Sequence, residues 1–265
     1  MKYGFIGCGA MASAILRGMK KSGKFEDDSI YVYDIDTEKS KRLESELGVV
    51  VCQDEVEVVT NVETLLLAVK PQMMQGVLKK IMYELDKTML VITIAAGKPI
   101  SFYEEFLGKT PIVRVMPNIN AKVNCAVSGI CGNTKADEKN KNTARSIFET
   151  VGTVVEISEE QFPAFSALGG ASGAFVLTMI DAIATSGVKA GLSRTLSLDV
   201  ACQVVMGSAK LAAESGEHPC ALVNQICSPG GTTIEGVMTL KKLGFETAIH
   251  EGIDAIIQKD KKLAE

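Results

Sequence analysis

The sequence is short of the groups that bind metals or carry strong acid–base chemistry. Its imidazoles are limited to His218 and His250, and its cysteines (Cys8, Cys52, Cys125, Cys131, Cys202, Cys220 and Cys227) are odd in number and never spaced as C-x-x-C. No zinc-like ligand set can be drawn from that inventory, so no metal is expected, and the thiols are expected to be free in a reducing, cytoplasmic setting. Positive charge is also scarce: the net charge is −4, which argues against partners held by bulk electrostatics, such as nucleic acid or an anionic membrane. Long hydrophobic runs are missing as well. The longest, GAFVLTMIDAIA, is interrupted by Asp181 and is too short to span a bilayer. The start of the chain runs directly into a strand pattern, with no basic stretch ahead of an apolar one, so no leader is expected.

What remains is an ordinary globular composition, 46% hydrophobic and 23% charged over 265 residues, enough to bury one large core or two modest ones. The two halves differ in grammar. Up to about residue 157, apolar strands alternate with helical stretches: YGFIG, IYVYD, VVV, TLLLAV, MLVITIA and IVRV, separated by text such as ASAILRGMKKSG and TEKSKRLESELG. This alternation predicts an α/β domain over residues 1–157, a Rossmann-like, doubly wound and mostly parallel sheet, because strands covered on both faces read as continuous apolar runs. Over residues 158–265 the strand signals vanish and helices follow one another. The first of these, FPAFSALGGASGAFVLTMIDAIATSGV, is apolar nearly all round, more than a small helical domain can bury alone. The inference is a homodimer built through this half, with room for a higher assembly of dimers.

The motif GFIGCGAMASAI places Gly7, Gly9 and Ala12 as G-x-G-x-x-A between a strand and a helix. Gly7 suits the tight turn, Gly9 lets the backbone approach a pyrophosphate, and Ala12 keeps the helix close to the sheet. Asp34, at the end of IYVYD, is suited to accept from ribose hydroxyls and to repel a 2′-phosphate, favouring NADH. Lys39, Lys41 and Arg42 follow; they could neutralise a phosphate, but the preferred reading is a solvated helix face.

Three more segments close apolar strands: AVKPQ (68–72), AAG (95–97) and RVMPN (114–118). Strand ends of an open parallel sheet line its ligand crevice. A second glycine motif, ICSPGGTTIEGV (226–237), runs into a helix and offers a small-anion site. In this order and spacing, the segments resemble pyrroline-5-carboxylate reductase over essentially the whole chain, SPGGTTIEGV and AVKPQ being the most specific.

The resemblance implies an NAD(P)H-dependent oxidoreductase that reduces L-1-pyrroline-5-carboxylate to L-proline, the last step of proline biosynthesis. It implies a pyrophosphate loop at Ile6, Gly7, Cys8, Gly9, Ala10, Met11 and Ala12. Asp34 falls at the adenosine ribose, and Ala68, Val69, Lys70 and Pro71 on the loop over the cofactor. Ala96 and Asn118 fall beside the nicotinamide, and Gln225 matches a further cofactor contact. Ser228, Pro229, Gly230, Gly231, Thr232 and Thr233 match the substrate-carboxylate loop. Thr233 is the catalytic hydroxyl beside the ring nitrogen, donating to a neutral imine or accepting from an iminium. Glu159 matches an acid near the substrate, and as plain sequence it reads equally as a helix-start acid in SEEQ. Glu55 stands where relatives often carry Asn near the adenine ribose, a second acid against a 2′-phosphate.

Besides Glu55, the chain departs from the family in two stretches. MPNIN lacks the proline of M-P-N-T-P, and GGASGAF puts Gly173 in a proline position at the expected dimer interface. Lys70 is read as loop structure beside Pro71, and Cys8 and Cys227, without basic neighbours, as packing. Two other functions fit the first glycine motif: a β-hydroxyacid-type NAD(P) dehydrogenase, which looks for a lysine base on the helical half, and a non-catalytic NAD(H)-sensing regulator, which has no use for SPGGTT.

Overall fold

Continuous apolar strands dictate the first layer. The computed structural model describes residues 1–264. It begins β1 (Lys2–Ile6), α1 (Ala10–Lys21), β2 (Ser29–Tyr33), α2 (Thr37–Leu47), β3 (Val50–Val51), α3 (Glu55–Asn61), β4 (Thr64–Leu67), α4 (Pro71–Ile81), β5 (Leu90–Thr93), α5 (Ile100–Leu107) and β6 (Ile112–Met116). The sheet continues with β7 (Ala126–Gly132), α6 (Glu138–Phe148) and β8 (Gly152–Glu156). The strand order is β3-β2-β1-β4-β5-β6-β7-β8, parallel except where β6 meets β7. In β4, Leu65 and Leu67 face one side of the sheet and Leu66 the other. One apolar cluster joins Leu66 to Ile15 and Leu16 of α1, Leu43 of α2 and Phe148 of α6. The other joins Leu65 and Leu67 to Val58 of α3, Leu78 of α4 and Tyr103 of α5. This is the expected doubly wound fold, with β7 and β8 as an additional ribbon. AVSGICG is a weak strand signal, since Ser128 and Gly129 interrupt its apolar run.

The helical half contains α7 (Phe162–Phe165), α8 (Gly173–Lys189), α9 (Arg194–Glu214), α10 (Pro219–Ile226), α11 (Thr232–Lys242) and α12 (Phe245–Ala264). The stretch expected to be one apolar helix is broken by a π-helical turn, Ser166–Ala171, and α8 begins at Gly173. The boundary between compact units differs from the expected one at residue 157: one unit is Met1–Gly170 with the chain from Ile257 onward, the other Ala171–Ile256. The physical reason is that the first helical residues pack on the sheet. Phe162 is buried in its core, Phe165 lies against Gly129, and the Asn118 Nδ2 donates to the Gly169 carbonyl at 2.7 Å.

Within the second unit, α8 and α9 form an antiparallel pair. They approach so closely at Gly187 that a Cβ there would lie 2.6 Å from the Ser197 Oγ. Asp181 pairs with Arg194. Much apolar surface stays outside: Leu177 is 63% and Met206 60% exposed. The expectation that no segment is long enough for a bilayer needs correcting. Glu159–Lys189, which runs on through Asp181, and Arg194–Glu214 meet that criterion by length and composition.

Candidate functional site

Strands β1 and β4 are neighbours whose connections leave in opposite directions, so their C-terminal ends flank a switch point in the sheet. Gly7 leaves β1 at φ 101°, a left-handed region that an L side chain enters only with strain. A Cβ on Gly7 would also lie 2.8 Å from the Ala68 carbonyl carbon and oxygen. The turn and the loop after β4 therefore touch through bare backbone. Gly9 is the opposite case: a Cβ built there meets nothing within 4 Å. It is the N-cap of α1, no side chain caps this helix, and its first turn holds no acid. An uncapped helix start facing open space is what a pyrophosphate requires, so the residues present fit a dinucleotide.

A cavity of about 330 Å³ gathers Gly9, Ala10, Met11, Ala12, Ala68, Val69, Lys70, Pro71 and Ala96 with Ile94, Ala95 and Pro117. Nine residues expected at the cofactor thus line one cleft. Ala95 and Pro117 belong to the strand-end segments expected at the crevice without having been assigned a role, and Ile94, just before AAG, is the addition. Lys70 is the N-cap of α4 and Pro71 its first residue, in keeping with a structural role for that pair. Asn118 sits beside Pro117, nine-tenths buried, as the cap of a short 3₁₀ turn, Ile119–Val123, that occupies the place of the missing proline. Ile6 and Cys8 are buried. Burial, then the Asp34 charge, pushes the Cys8 thiol up to about 12, so it is packing.

The two acids expected near the ribose have partners within the protein. The Asp34 Oδ2 accepts from the Cys8 N–H at 2.7 Å and its Oδ1 from the Asp36 N–H at 2.9 Å. Glu55 is buried at 7% exposure with its Oε1 2.8 Å from the Lys80 Nζ. Glu55 is thus ion-paired, while Asp34 keeps its charge, held by two main-chain N–H groups with the Lys39 Nζ 3.9 Å from its Oδ1.

Glu159 is not brought to the cofactor cleft. Its Oε1 accepts from the Ile100 N–H at 2.7 Å and from the Arg114 Nη1 at 3.0 Å, and Arg114 stacks on the Phe162 ring at 4.2 Å. The carboxylate clasps a buried guanidinium and the start of α5. It lines a separate cavity with Glu104, Asn133 and Lys141.

The second glycine motif lies in the second unit. Ser228–Gly231 is a β-turn closed by the Gly231 N–H donating to the Ser228 carbonyl at 3.0 Å, with Pro229 second and Gly230 at φ 68° third, as a type II turn demands. A Cβ on Gly231 would lie 2.4 Å from the Ser228 Oγ. The turn therefore accounts for both glycines, and the Gly231 N–H is not free for an anion. Neither threonine caps the helix: Gly231 is the N-cap of α11 and no side chain bonds to the first turn. The N–H groups and the exposed hydroxyls of Thr232 and Thr233 are left at an open helix start. Gln225 is exposed in the same unit, its Nε2 donating to Glu217 at 2.7 Å.

Comparisons with known proteins bear on the family and the fold. Residues 159–263 match a family model described as pyrroline-5-carboxylate reductase dimerisation, and residues 2–97 one described as NADP oxidoreductase coenzyme F420-dependent. A pyrroline-5-carboxylate reductase of Methanosarcina acetivorans is 39% identical over 99% of this chain and 97% of its own length. Among solved structures, a pyrroline-5-carboxylate reductase from Coxiella burnetii superposes with a TM-score of 0.93 at 29% identity, covering 99% of this chain and 98% of that one. The Plasmodium falciparum pyrroline carboxylate reductase with NADP bound gives 0.88 at 28% identity, covering 100% and 98%.

Proposed function

Because the chain belongs to the pyrroline-5-carboxylate reductase family, we propose a division of labour among its residues. The protein reduces L-1-pyrroline-5-carboxylate to L-proline with NAD(P)H, the last step of proline biosynthesis. The dinucleotide supplies the hydride; the chain supplies orientation and electrostatics. The observation that carries the cofactor assignment is the single cleft shared by Gly9–Ala12, Ala68–Pro71 and Ala96 at the switch point. In this reading the free N–H groups of α1 hold the pyrophosphate, Asp34 meets the adenosine ribose, and Asn118 and Gln225 complete the cofactor contacts. Asp34 still has lone pairs for ribose hydroxyls, which supports use of NADH.

For the substrate, the open start of α11 takes the carboxylate: Thr232 and Thr233 offer N–H groups, and Ser228–Gly231 form the turn that presents them. The Thr233 hydroxyl lies within the same turn of helix and is assigned to the ring nitrogen. It orients the imine and holds the proton arriving at that atom; an alcohol is too weak an acid to be the final proton source, so solvent supplies it. Glu159 acts through Arg114, holding the sheet against the helical half's first turn.

The working unit is a homodimer. Two features support this: the apolar faces of α8 and α9 left outside by one chain, and the match of residues 159–263 to a dimerisation model. Those faces are assigned to a second copy rather than to lipid, and the protein to the cytoplasm with its seven cysteines free. Light scattering without detergent tests this; a monomer that needs detergent to stay in solution would contradict it. The functional assignment is tested by following NADH or NADPH oxidation with L-1-pyrroline-5-carboxylate.

A further inference from the structure

A pair of buried hydroxyls next to the cofactor cleft has no part in the roles assigned above. Thr93 closes β5 and Tyr103 lies in the first turn of α5; both are completely buried. The Thr93 Oγ1 donates to the Tyr103 hydroxyl at 2.6 Å and accepts the Ala95 N–H at 3.4 Å. Burial pushes the Tyr103 phenol up to about 12, so it stays a neutral hydroxyl. Tyr103 belongs to the same apolar cluster as Leu65, Leu67 and Leu78, where phenylalanine would leave no polar atom to satisfy. Its bond to Thr93 explains why the ring carries a hydroxyl.

The chain that follows Thr93 forms part of the cleft wall. Ile94, Ala95 and Ala96 line it together with Gly9–Ala12 and Ala68–Pro71. Ala96 is exposed between buried Ala95 and Gly97, and Gly97 turns the chain at φ 69°. The stretch is anchored at one end by the Ile94 N–H, which donates to the Leu67 carbonyl at 3.2 Å. At the other end the Ile100 N–H donates to Glu159 at 2.7 Å. Between these anchors the Thr93 hydroxyl receives the Ala95 N–H. At 3.4 Å that contact is long, so it depends on the rotamer that the Tyr103 bond holds.

We propose that Thr93 and Tyr103 are positioning residues for hydride transfer, their bond fixing the strand end that keeps Ala96 beside the nicotinamide. The proposal rests on the reading that Ala96 lines the nicotinamide end of the cleft. Both side chains, fully buried, act through the backbone of Ile94–Gly97. Hydride transfer needs its reacting atoms closely placed, and a displacement of about 1 Å can cost about 10²-fold in rate.

The test uses Tyr103→Phe and Thr93→Val, with Thr93→Ser as the conservative variant, each checked for folding by circular dichroism. In the cofactor-free protein, hydrogen exchange read by mass spectrometry should quicken about tenfold over residues 94–98 in the first two variants, with α6 unchanged. In single turnovers with NADH and L-1-pyrroline-5-carboxylate, the same two should transfer hydride about tenfold more slowly, the NADH Kd staying within about twofold. Thr93→Ser should keep both rates near wild type. The double variant Tyr103→Phe/Thr93→Val should be no slower than either single one, because one bond is lost in all three. Folded variants with wild-type exchange and transfer rates, even at a lowered thermal midpoint, would overturn the proposal, as would losses that add in the double variant. Ala96→Leu tests the reading beneath it, since the larger side chain should weaken NADH but not ADP-ribose. If it weakens neither, the nicotinamide reading fails. If it weakens NADH alone while Tyr103→Phe behaves as wild type, the positioning role fails by itself.

Discussion

Two glycines two positions apart should respond to the same substitution in opposite ways. At Gly7, alanine must enter φ 101° and place its Cβ 2.8 Å from the Ala68 carbonyl group and 3.0 Å from the Val69 nitrogen. Backbone strain of this kind costs on the order of 1–3 kcal/mol, and the clash is with main chain that cannot turn aside. A total near 3 kcal/mol is expected, lowering the thermal midpoint of the sheet domain by about 6–12 °C. At Gly9, alanine meets nothing within 4 Å, and the residue is already extended at φ −68°, ψ −176°. The only cost is a poorer N-cap, about 0.5–1 kcal/mol. Its methyl group, however, enters the space assigned to the pyrophosphate, so affinity for NADH should fall at least about tenfold by fluorescence titration. Gly7→Ala should thus read mainly as lost stability, and Gly9→Ala mainly as lost binding in a stable protein. A Gly9→Ala variant that keeps wild-type NADH affinity, or that melts as early as Gly7→Ala, would refute the reasoning.

Replacing Thr233 by alanine should lower kcat by roughly 10²-fold while the NADH Kd stays within about twofold, and serine should restore most of the rate; equal loss of NADH binding would move Thr233 out of its assigned role. Glu159→Ala should destabilise the protein by about 2 kcal/mol, because it strips a partner from buried Arg114 and an acceptor from the Ile100 N–H, with the exposed side of the carboxylate limiting the loss. Glu159→Gln should recover about half of that in thermal melts, whereas a fall in kcat at unchanged midpoint would restore a substrate role. Burial holds the Cys8 and Cys131 thiols at about 12 and Cys52 at about 11. These three should stay unmodified by a thiol reagent at pH 8 until the protein is unfolded, as read by mass spectrometry of the digested chain.

The fold was most legible where one physical demand controlled the residues. Leu65, Leu66 and Leu67 had to be apolar because both faces of β4 are covered, and that run announced a parallel sheet. Gly7 was equally plain, since its turn and its contact with Ala68 call for the same residue. β7 was harder to see because Gly129 is kept small by Phe165, a contact from a distant part of the chain. The π-helical turn at Ser166–Ala171 has no pattern of its own within an apolar run. Glu159 shows the limit most clearly: SEEQ fits a helix start or a substrate acid, and the pattern gives no sign of the Arg114 and Ile100 contacts that anchor the carboxylate. In SPGGTT, the pattern does not reveal that the turn itself consumes the Gly231 N–H.

The central claim, a cyclic imine reduced on this chain, is tested most directly by incubating the purified protein with L-1-pyrroline-5-carboxylate and NADH, then with NADPH. Absorbance at the nicotinamide band and L-proline are measured together. The account predicts substrate-dependent loss of the reduced nucleotide matched one for one by L-proline. Protein that is folded and dimeric yet oxidises neither nucleotide and forms no L-proline would contradict it.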